Sequence, residues 1–533
     1  MMHSIPVHDT SVPDEAEMED LHLHSPTSES SVSLIPLDAS TARNIYGNGK
    51  KLVPSLSVPL WNKDTRFLGL YALQTLLTII AVATIEHRSK VKAAAALANE
   101  TTIAGSVRPD YDIADRGVPY IGYMVLVGAL YSLSWICVFF YLPKDIYIRF
   151  STISSFVGLA PLALVLVLSG SWGGFFLGLG VALIAFSDFL WTRKNKLGFD
   201  FVAAVFDLVA KVLLDLPSVL LAVVGILLLG TTWAFWCGQL LADVRDDEGW
   251  SFNLLWLFFH FYWTSHLVHT LISLLVSGTV MYWYHHWDNS NDAPHLFVDP
   301  PSSPRSLESK VSSVDLDDDI ARRRGSKTKA VRAHVVVLHY TRMSMSYALG
   351  SACLAAIFCP IAHLLWNILR MANRDDSYRW LRVVVRPVAP SIEAFIQLYH
   401  KYSLVFVAGF GQSFATSAAD AWKLMHDRGI EAIVDDDLTS RLLLFVANGC
   451  AGTMGTLCNI VLLGSHLRVY GTIVSFLVGY FVCQAATTMM NITVKTLFIC
   501  FAVHPARLSR LNPIIYHRFM RLSELKSFGE RHR

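Results

Sequence analysis

The chain has 533 residues, of which 53% are hydrophobic and 16% are charged, and its formal net charge is +2. Soluble globular chains carry about 25% charged residues, so the excess of apolar side chains must face something other than water. A net charge this small gives no electrostatic reason to expect a nucleic-acid partner. The eight cysteines form no CxxC pair, which predicts neither a disulfide framework nor a metal-binding knuckle.

Residues 1–64 precede the first apolar run and are rich in Ser, Asp, Glu and Pro. We expect a disordered cytosolic tail here, because such a segment buries too little apolar surface to fold. No apolar signal-peptide core precedes the first run, which is therefore expected to serve as an uncleaved targeting signal. Residues 288–335 contain a run of three aspartates and a run of three arginines, and we predict one long, disordered cytosolic loop.

Ten apolar runs follow the N-terminal tail, and most approach the about 20 residues that a helix needs to cross a bilayer. They are Phe67–Ile85, Pro119–Leu142, Ile153–Leu168, Trp172–Trp191, Pro217–Leu241, Phe252–Tyr284, Tyr347–Met371, Tyr402–Ala419, Leu442–Leu463 and Tyr470–Val503. The third and eighth runs are short and interrupted by polar residues. The pattern predicts an all-α protein, a polytopic transmembrane helix bundle with about ten crossings and the lipid bilayer as its surroundings.

The distribution of lysines and arginines predicts which segments face the cytosol. Lysines and arginines after the fourth run, in the long loop and after the tenth run indicate cytosolic positions. The predicted regions are 1–64, the N-terminal tail; 65–287, six transmembrane helices; 288–335, the cytosolic loop; 336–505, four transmembrane helices; and 506–533, a cytosolic C-terminal tail. Asn99 begins a glycosylation sequon in the first outside loop. If the arginine-rich stretch 374–386 is instead cytosolic, then the seventh run is a hairpin or the eighth is not a crossing, and both possibilities stay open.

A charged segment lies between the fourth and fifth runs. Asp207, Lys211 and Asp215 are spaced four residues apart, so they share one face of a helix. One interpretation is an interfacial amphipathic helix that ends at Pro217 and keeps its charges in water. The other is a buried charge network that lines a path.

The sixth run carries the most polar and aromatic groups of any predicted crossing. Its candidate substrate-pathway residues are Trp256, His260, Tyr262, Trp263, His266 and His269. Polar groups inside lipid are costly and should point into the bundle, and aromatic faces attract a quaternary ammonium that cannot donate hydrogen bonds. The alternative is that the rings are ordinary membrane-helix residues and that the histidines bond neighbouring carbonyls.

Polar residues also interrupt other runs. Gln484 and Asn491 in the tenth run either line the path or bond other helices, and Asp188 in the fourth run carries the same ambiguity. Small residues recur at helix-packing spacing, as in the pair Gly174 and Gly178. We interpret such stripes as close helix contacts, with a moving interface for alternating access as the alternative.

Two further functional classes remain open beside a transporter. One is a membrane enzyme with a histidine-held metal, suggested by the histidines of the sixth run and its exit, namely His260, His266, His269, His285 and His286. Known sites of that kind use several separated histidine boxes, and no second box is present, so we expect no metal, no cofactor and no enzymatic activity. The other class is a non-transporting scaffold or regulator. No P-loop occurs, so the sequence gives no support to an ATP-driven mechanism.

Four stretches carry a family resemblance. The segment from His400 to Leu438 contains Lys401–Tyr402, then Gly411, then Ser413–Phe414, and then the block Ala418–Trp422. This order resembles the choline transporter-like family, and it is most similar to the fungal branch called pH-nine-sensitive protein. Three other stretches are similar to family elements: Phe261–Tyr284, Ala348–Ile357 and Asn491–Phe501. Lys495 departs from the pattern, because the family usually has Asp at that position.

The resemblance extends from about residue 60 to residue 525 and carries expectations of its own. It implies about ten crossings, a long first outside loop and cytosolic termini. It also implies facilitated transport or cation exchange of choline, or of a related small organic cation, across the plasma membrane. It identifies no substrate-binding residue in this chain, so the candidate site remains the set of residues on the sixth and tenth runs.

Overall fold

The computed structural model of the protein describes residues 64–100, 114–248, 252–286, 334–374, 383, 385–427, 438–463, 468–513 and 515–517. The predicted N-terminal tail (apart from Asp64), most of the predicted long loop and most of the predicted C-terminal tail lie outside these ranges. Within them the chain is almost entirely helical and has no β-strand. The predicted all-α fold is therefore confirmed.

Fourteen α-helices are named here in chain order. They are α1 Thr65–Glu100, α2 Ala114–Tyr141, α3 Lys144–Val167, α4 Trp172–Lys194, α5 Phe199–Asp215, α6 Pro217–Glu248, α7 Phe252–His286, α8 Leu349–Arg374, α9 Ala389–Leu398, α10 Ser403–Phe410, α11 Phe414–Asp427, α12 Leu438–Val461, α13 Arg468–Val503 and α14 Pro505–Leu511. A helical segment over 334–342 and a π-helical turn, Met343–Tyr347, precede α8.

Nine of the described helices are long and apolar enough to cross a membrane: α1, α2, α3, α4, α6, α7, α8, α12 and α13. Their number agrees with the predicted bundle of about ten crossings. Helices α7, α12 and α13 are the most deeply buried, whereas most side chains of α1 and α4 are exposed on the outside of the bundle. Because those outward side chains are apolar, the bundle presents to its surroundings the surface that lipid requires.

One of the ten predicted crossings, the eighth run Tyr402–Ala419, is not one continuous helix. Helix α10 ends after eight residues, Gly411 adopts the left-handed conformation with φ of 62°, and α11 begins at Phe414. Glycine accepts this backbone without steric cost, and the chain turns there. An eight-residue helix is about 12 Å long, too short to cross about 30 Å of hydrocarbon. Hydropathy alone does not detect this break, because both halves are apolar or small.

Helix α5 distinguishes the two interpretations of the charged segment. Asp207 and Lys211 are exposed, whereas Val205, Leu208 and Leu213 on the opposite side are buried. The helix has 17 residues and is not among the described helices long enough to cross. The amphipathic interpretation is therefore correct, and the hypothesis of a buried charge network at this helix is wrong.

Helices α3 and α12 approach each other at backbone distance. A Cβ atom added to Gly158 would lie 2.3 Å from the Gly449 carbonyl oxygen, and one added to Gly452 would lie 2.3 Å from the Gly158 carbonyl carbon. The predicted pair in α4 also packs closely, since a Cβ on Gly178 would lie 2.9 Å from the Ala163 oxygen. Small residues thus act as helix contacts in this bundle.

Candidate functional site

All six candidates from the sixth run lie on α7, and two of them bond α1. Trp256 donates its indole N–H to the Thr78 hydroxyl at 3.0 Å. His260 Nδ1 lies 2.8 Å from Gln74 Oε1, and because an amide oxygen only accepts, Nδ1 is the donor. Gln74 and Thr78 are both buried. These contacts satisfy costly polar groups inside the bundle, so Trp256 and His260 connect two helices.

Tyr262 and Trp263 bond the next helix, α8. The Tyr262 hydroxyl donates to the Ile357 carbonyl at 3.2 Å, and the Trp263 indole N–H donates to the Cys353 carbonyl at 3.1 Å. Trp263 is only 4% exposed, and the Tyr71 ring meets it edge-on with 5.3 Å between centroids. Neither face of Trp263 is open to a ligand in this conformation.

His266 and His269 occupy the interface between α7 and α13. Their ring centroids are 5.6 Å apart, and the Phe481 ring lies 5.2 Å from His266. His269 Nδ1 lies 2.9 Å from the Thr488 hydroxyl oxygen, while its Nε2 is buried without a hydrogen-bond partner among the described residues. This pair is the least satisfied part of the predicted site.

Gln484 lies one helical turn before Thr488 on the same side of α13, and its backbone carbonyl accepts the Thr488 hydroxyl at 2.7 Å. Its side-chain Oε1 is buried and, within the described part of the chain, has no partner. An unpartnered buried oxygen costs about 1–3 kcal/mol. Gln484 and His269 therefore bring two unsatisfied polar atoms to one helix interface.

Asn491 belongs to a different contact. Its Oδ1 accepts the Ser440 hydroxyl at 2.8 Å, which joins α13 to α12. The structure thus places Gln484 with the α7 histidines and Asn491 away from them, in an ordinary interhelical bond.

A small cavity adjoins this interface. It has a volume of about 20 Å³, and its lining includes Thr231, Ser265, Val268 and Phe481. That volume holds about one water molecule, whereas pockets for drug-sized ligands span about 300–1,000 Å³. The α7–α13 interface is therefore closed in this conformation.

Lys401 adds a positive charge to the same region. Its ammonium interacts electrostatically with both His266 and His269. Lys401 lies between α9 and α10, outside the spanning helices, and burial lowers the pKa of its ammonium. A like charge nearby disfavours a bound organic cation.

Asp188 and Arg441 form an ion pair that the sequence did not predict. Asp188 on α4 is 1% exposed, and its carboxylate accepts hydrogen bonds from Arg441 at 3.0 Å, Asn448 at 3.0 Å and Ser155 at 2.7 Å. Asp188 was a candidate with an ambiguous role. Its partner Arg441 lies in the first turn of α12, and nothing in its sequence neighbourhood indicates the pairing.

The break between α10 and α11 agrees with one possibility that the sequence left open, that the eighth run is not a crossing, but the sequence did not place the break at Gly411. The Asp64 carboxylate accepts the backbone N–H of Phe414 at 3.0 Å and the Ser351 hydroxyl at 2.5 Å, so it joins α1, α8 and α11. Within the described residues Asp64 is the one non-glycine residue with positive φ, at 53°. The two glycines around Phe410 were the available sequence signal, since glycines mark breaks in apolar runs.

The described side chains form no metal-holding cluster. No group of three or more His, Cys, Asp or Glu residues there is arranged to hold a metal ion. His285 Nδ1 donates to the Met281 carbonyl at 2.9 Å, and the side chain of His286 lies outside the described part. The glycosylation candidate Asn99 falls near the end of α1, and its side chain is likewise not described.

Nine apolar helices of the described part of the chain are long enough to span a membrane, and with polar groups turned inward they define a polytopic α-helical membrane protein. The sequence model of the family described as plasma-membrane choline transporter matches residues 175–506, more than half of the chain. The chain belongs to the choline transporter-like family, as its resemblance predicted, and membership in this family points to a membrane transporter.

Individual relatives are distant. A CTL-like protein of Dictyostelium discoideum is 20% identical over 356 residues, which cover 65% of this chain and 57% of that protein. Protein PNS1 of Neurospora crassa is 23% identical over 195 residues, which cover 34% and 35%. Protein PNS1 of Mycosarcoma maydis is 31% identical over 105 residues, which cover 19% and 20%. The matched part thus spans less than two thirds of each of these relatives.

Proposed function

We propose that this protein is a facilitative carrier of choline, or of a related small organic cation, across the plasma membrane. The observation that carries the proposal is the family match, which extends from α4 to α14 and includes every helix of the α7–α13 interface. The family is described by that substrate and that membrane, and its motifs recur here in the expected order.

The bundle supports a carrier in two further ways. Unsatisfied polar atoms at the centre of a membrane bundle are expensive and commonly functional, and Gln484 and His269 supply two of them. A discontinuous helix, such as α10 and α11 around Gly411, is a recurrent feature of secondary transporters at their binding sites. The described conformation is closed at α7, which is one of the two states that alternating access requires.

Radiolabelled choline uptake tests the proposal. The full chain is reconstituted into proteoliposomes, and uptake is compared with protein-free vesicles and with vesicles that contain Gly158→Val, which we expect not to fold. Saturable uptake that unlabelled choline competes away supports a carrier. No flux of choline or of any other quaternary amine from well-folded protein contradicts it and leaves a non-transporting scaffold as the function.

Location and modification are separate parts of the proposal. We propose that the protein resides in the plasma membrane and carries a glycan at Asn99. Surface biotinylation of intact cells tests the first, and a mobility shift after glycosidase treatment, absent in Asn99→Gln, tests the second. Protein confined to internal membranes contradicts the first, and an unchanged mobility contradicts the second.

A further inference from the structure

A bound organic cation needs a negative counter-charge and aromatic faces. The α7–α13 interface supplies little negative charge. The charged side chain that acts on both His266 and His269 is Lys401, a cation. A carboxylate and a group of aromatic rings do meet elsewhere in the bundle, at the break between α10 and α11.

The aromatic cluster of this region is centred on Tyr399. Its ring centroid lies 4.7 Å from that of Phe358, 4.8 Å from Phe395 and 6.2 Å from Phe414. Phe414 is buried, whereas Tyr399, Phe358 and Phe395 are each partly exposed. Phe358 and Phe414 stack on Tyr399. Aromatic rings attract an ammonium without N–H groups, and three rings of this cluster are partly exposed.

Phe414, a member of this cluster, also fixes the position of the Asp64 carboxylate. Asp64 binds the backbone N–H of Phe414, whose ring stacks on Tyr399. The second bond, from Ser351, fixes its orientation from α8. The left-handed backbone of Asp64 is uncommon for a residue with a side chain, and such conformations persist where the surrounding structure requires them.

The helix break adds negative potential. Of the carbonyls in the last turn of α10, that of Val407 accepts the Gly411 N–H, and the C-terminal end of a helix carries a partial negative charge. Gln412, within the break, has a buried Oε1 with no hydrogen-bond partner in the described part of the chain. Carboxylate, helix end and amide oxygen all favour a positively charged occupant, against the positive charge of Lys401, which follows Tyr399 by two residues and interacts electrostatically with Cys359.

We propose that Asp64 and the aromatic cluster of Tyr399, Phe358, Phe395 and Phe414 form the binding site for the cationic head group of the transported amine. This inference rests on the proposed function and gives it a location that the sequence pattern did not provide. Asp64 supplies the counter-charge, and the rings contact the methyl groups of the ammonium.

The test separates the charge of Asp64 from its structural bonds. Asp64→Asn keeps an oxygen that accepts both hydrogen bonds, and Asn tolerates positive φ as Asp does. We expect the variant to fold and its KM for choline uptake to rise about tenfold or more, because the counter-charge is lost. Competition by 3,3-dimethyl-1-butanol, the uncharged analogue of choline, should remain unchanged, since that ligand has no charge to pair.

A matched pair at Tyr399 tests the rings. Tyr399→Phe keeps the aromatic face and should retain the wild-type KM, whereas Tyr399→Leu should raise it several-fold. An unchanged KM in Asp64→Asn, or an equal loss of choline and of its uncharged analogue, overturns the proposed site while transport by the wild type stands. Absence of choline flux in the wild type overturns the proposed function itself.

Discussion

The Arg441 guanidinium lies 3.0 Å from the Asp188 carboxylate, and the two side chains differ sharply in burial. Asp188 is 2% exposed at its side chain and Arg441 36%. The carboxylate also accepts hydrogen bonds from Ser155 and Asn448, so three helices converge on one buried charge. The pair holds α3, α4 and α12 together where apolar packing alone would not specify their register.

The first prediction concerns this pair. Arg441→Ala leaves a buried carboxylate without its counter-ion, which costs about 3–5 kcal/mol for a fully buried pair, and we expect a value at the low end because Arg441 is partly exposed. The midpoint of thermal unfolding in detergent should fall clearly. Adding Asp188→Asn to the same chain should restore part of the loss, because no unpaired charge then remains. A double variant no more stable than Arg441→Ala contradicts this.

The second prediction uses two glycines in neighbouring helices. Gly158→Ala would force a methyl group against the Gly449 carbonyl, and overpacking of this kind costs about 1–3 kcal/mol or more. Gly180→Ala on α4 is the matched control, since nothing lies within 4 Å of its Cβ position, and it should gain about 0.5–1 kcal/mol from the lower flexibility of the unfolded chain. Equal unfolding midpoints for the two variants would show that α3 and α12 are not in backbone contact.

The third prediction sets stability against transport. Gln484→Leu removes a buried oxygen that has no partner in the described residues, so the resting protein should become more stable by about 1–3 kcal/mol. Uptake should fall, because the same oxygen is available to a passing solute. Thr487→Val is the control: its hydroxyl bonds only carbonyls of its own helix, those of Cys483 and Gln484. A stabilised Gln484→Leu variant with wild-type uptake would exclude Gln484 from the pathway.

The fourth prediction concerns pH and His400, which lies between α9 and α10. Its Nε2 donates to the Ala418 carbonyl at 3.1 Å, and burial lowers the pKa of its imidazole to about 4. The unfolded chain, with a histidine pKa of about 6.5, binds the proton more readily than the folded one. Stability is therefore complete above about pH 6.5 and falls by up to about 3 kcal/mol as the pH drops to about 4.

His400→Gln provides the comparison for that effect. The amide N–H can replace the hydrogen bond to Ala418, and the side chain does not titrate in this range. Unfolding midpoints measured from pH 4 to 7.5 should slope less steeply in this variant than in the wild type. Parallel slopes would assign the pH dependence to other groups.

The bundle was predictable from sequence because hydropathy measures the property that selects membrane helices. The long runs agree with α7 and α13 to within a few residues. The third run, which polar residues made look short, becomes the 24-residue α3 because Lys144 at its start turns its ammonium back to the carbonyls of Phe139 and Leu142. Charge at a helix end is compatible with a crossing when nearby carbonyls, here those of the preceding helix and linker, supply partners.

The candidate site was only partly predictable. The polar and aromatic character of α7 is visible in the sequence, but the partners Gln74 and Thr78 lie in α1 among ordinary apolar residues. Whether a polar group is satisfied depends on which helices become neighbours, and periodicity carries no information about that. The position of the break at Gly411 was not predicted for a related reason: a single left-handed residue leaves the average hydropathy of its run unchanged.

The glycine contact between α3 and α12 has a bearing on how a carrier of this shape could operate. With backbone atoms of the two helices touching at Gly158, Gly449 and Gly452, neither helix can slide or rotate past the other without a collision. Together with the Asp188 network, this makes α3, α4 and α12 a stationary frame. Any opening and closing during a transport cycle would then involve the rest of the bundle, which includes the short helices α9 to α11 and the break at Gly411 between α10 and α11.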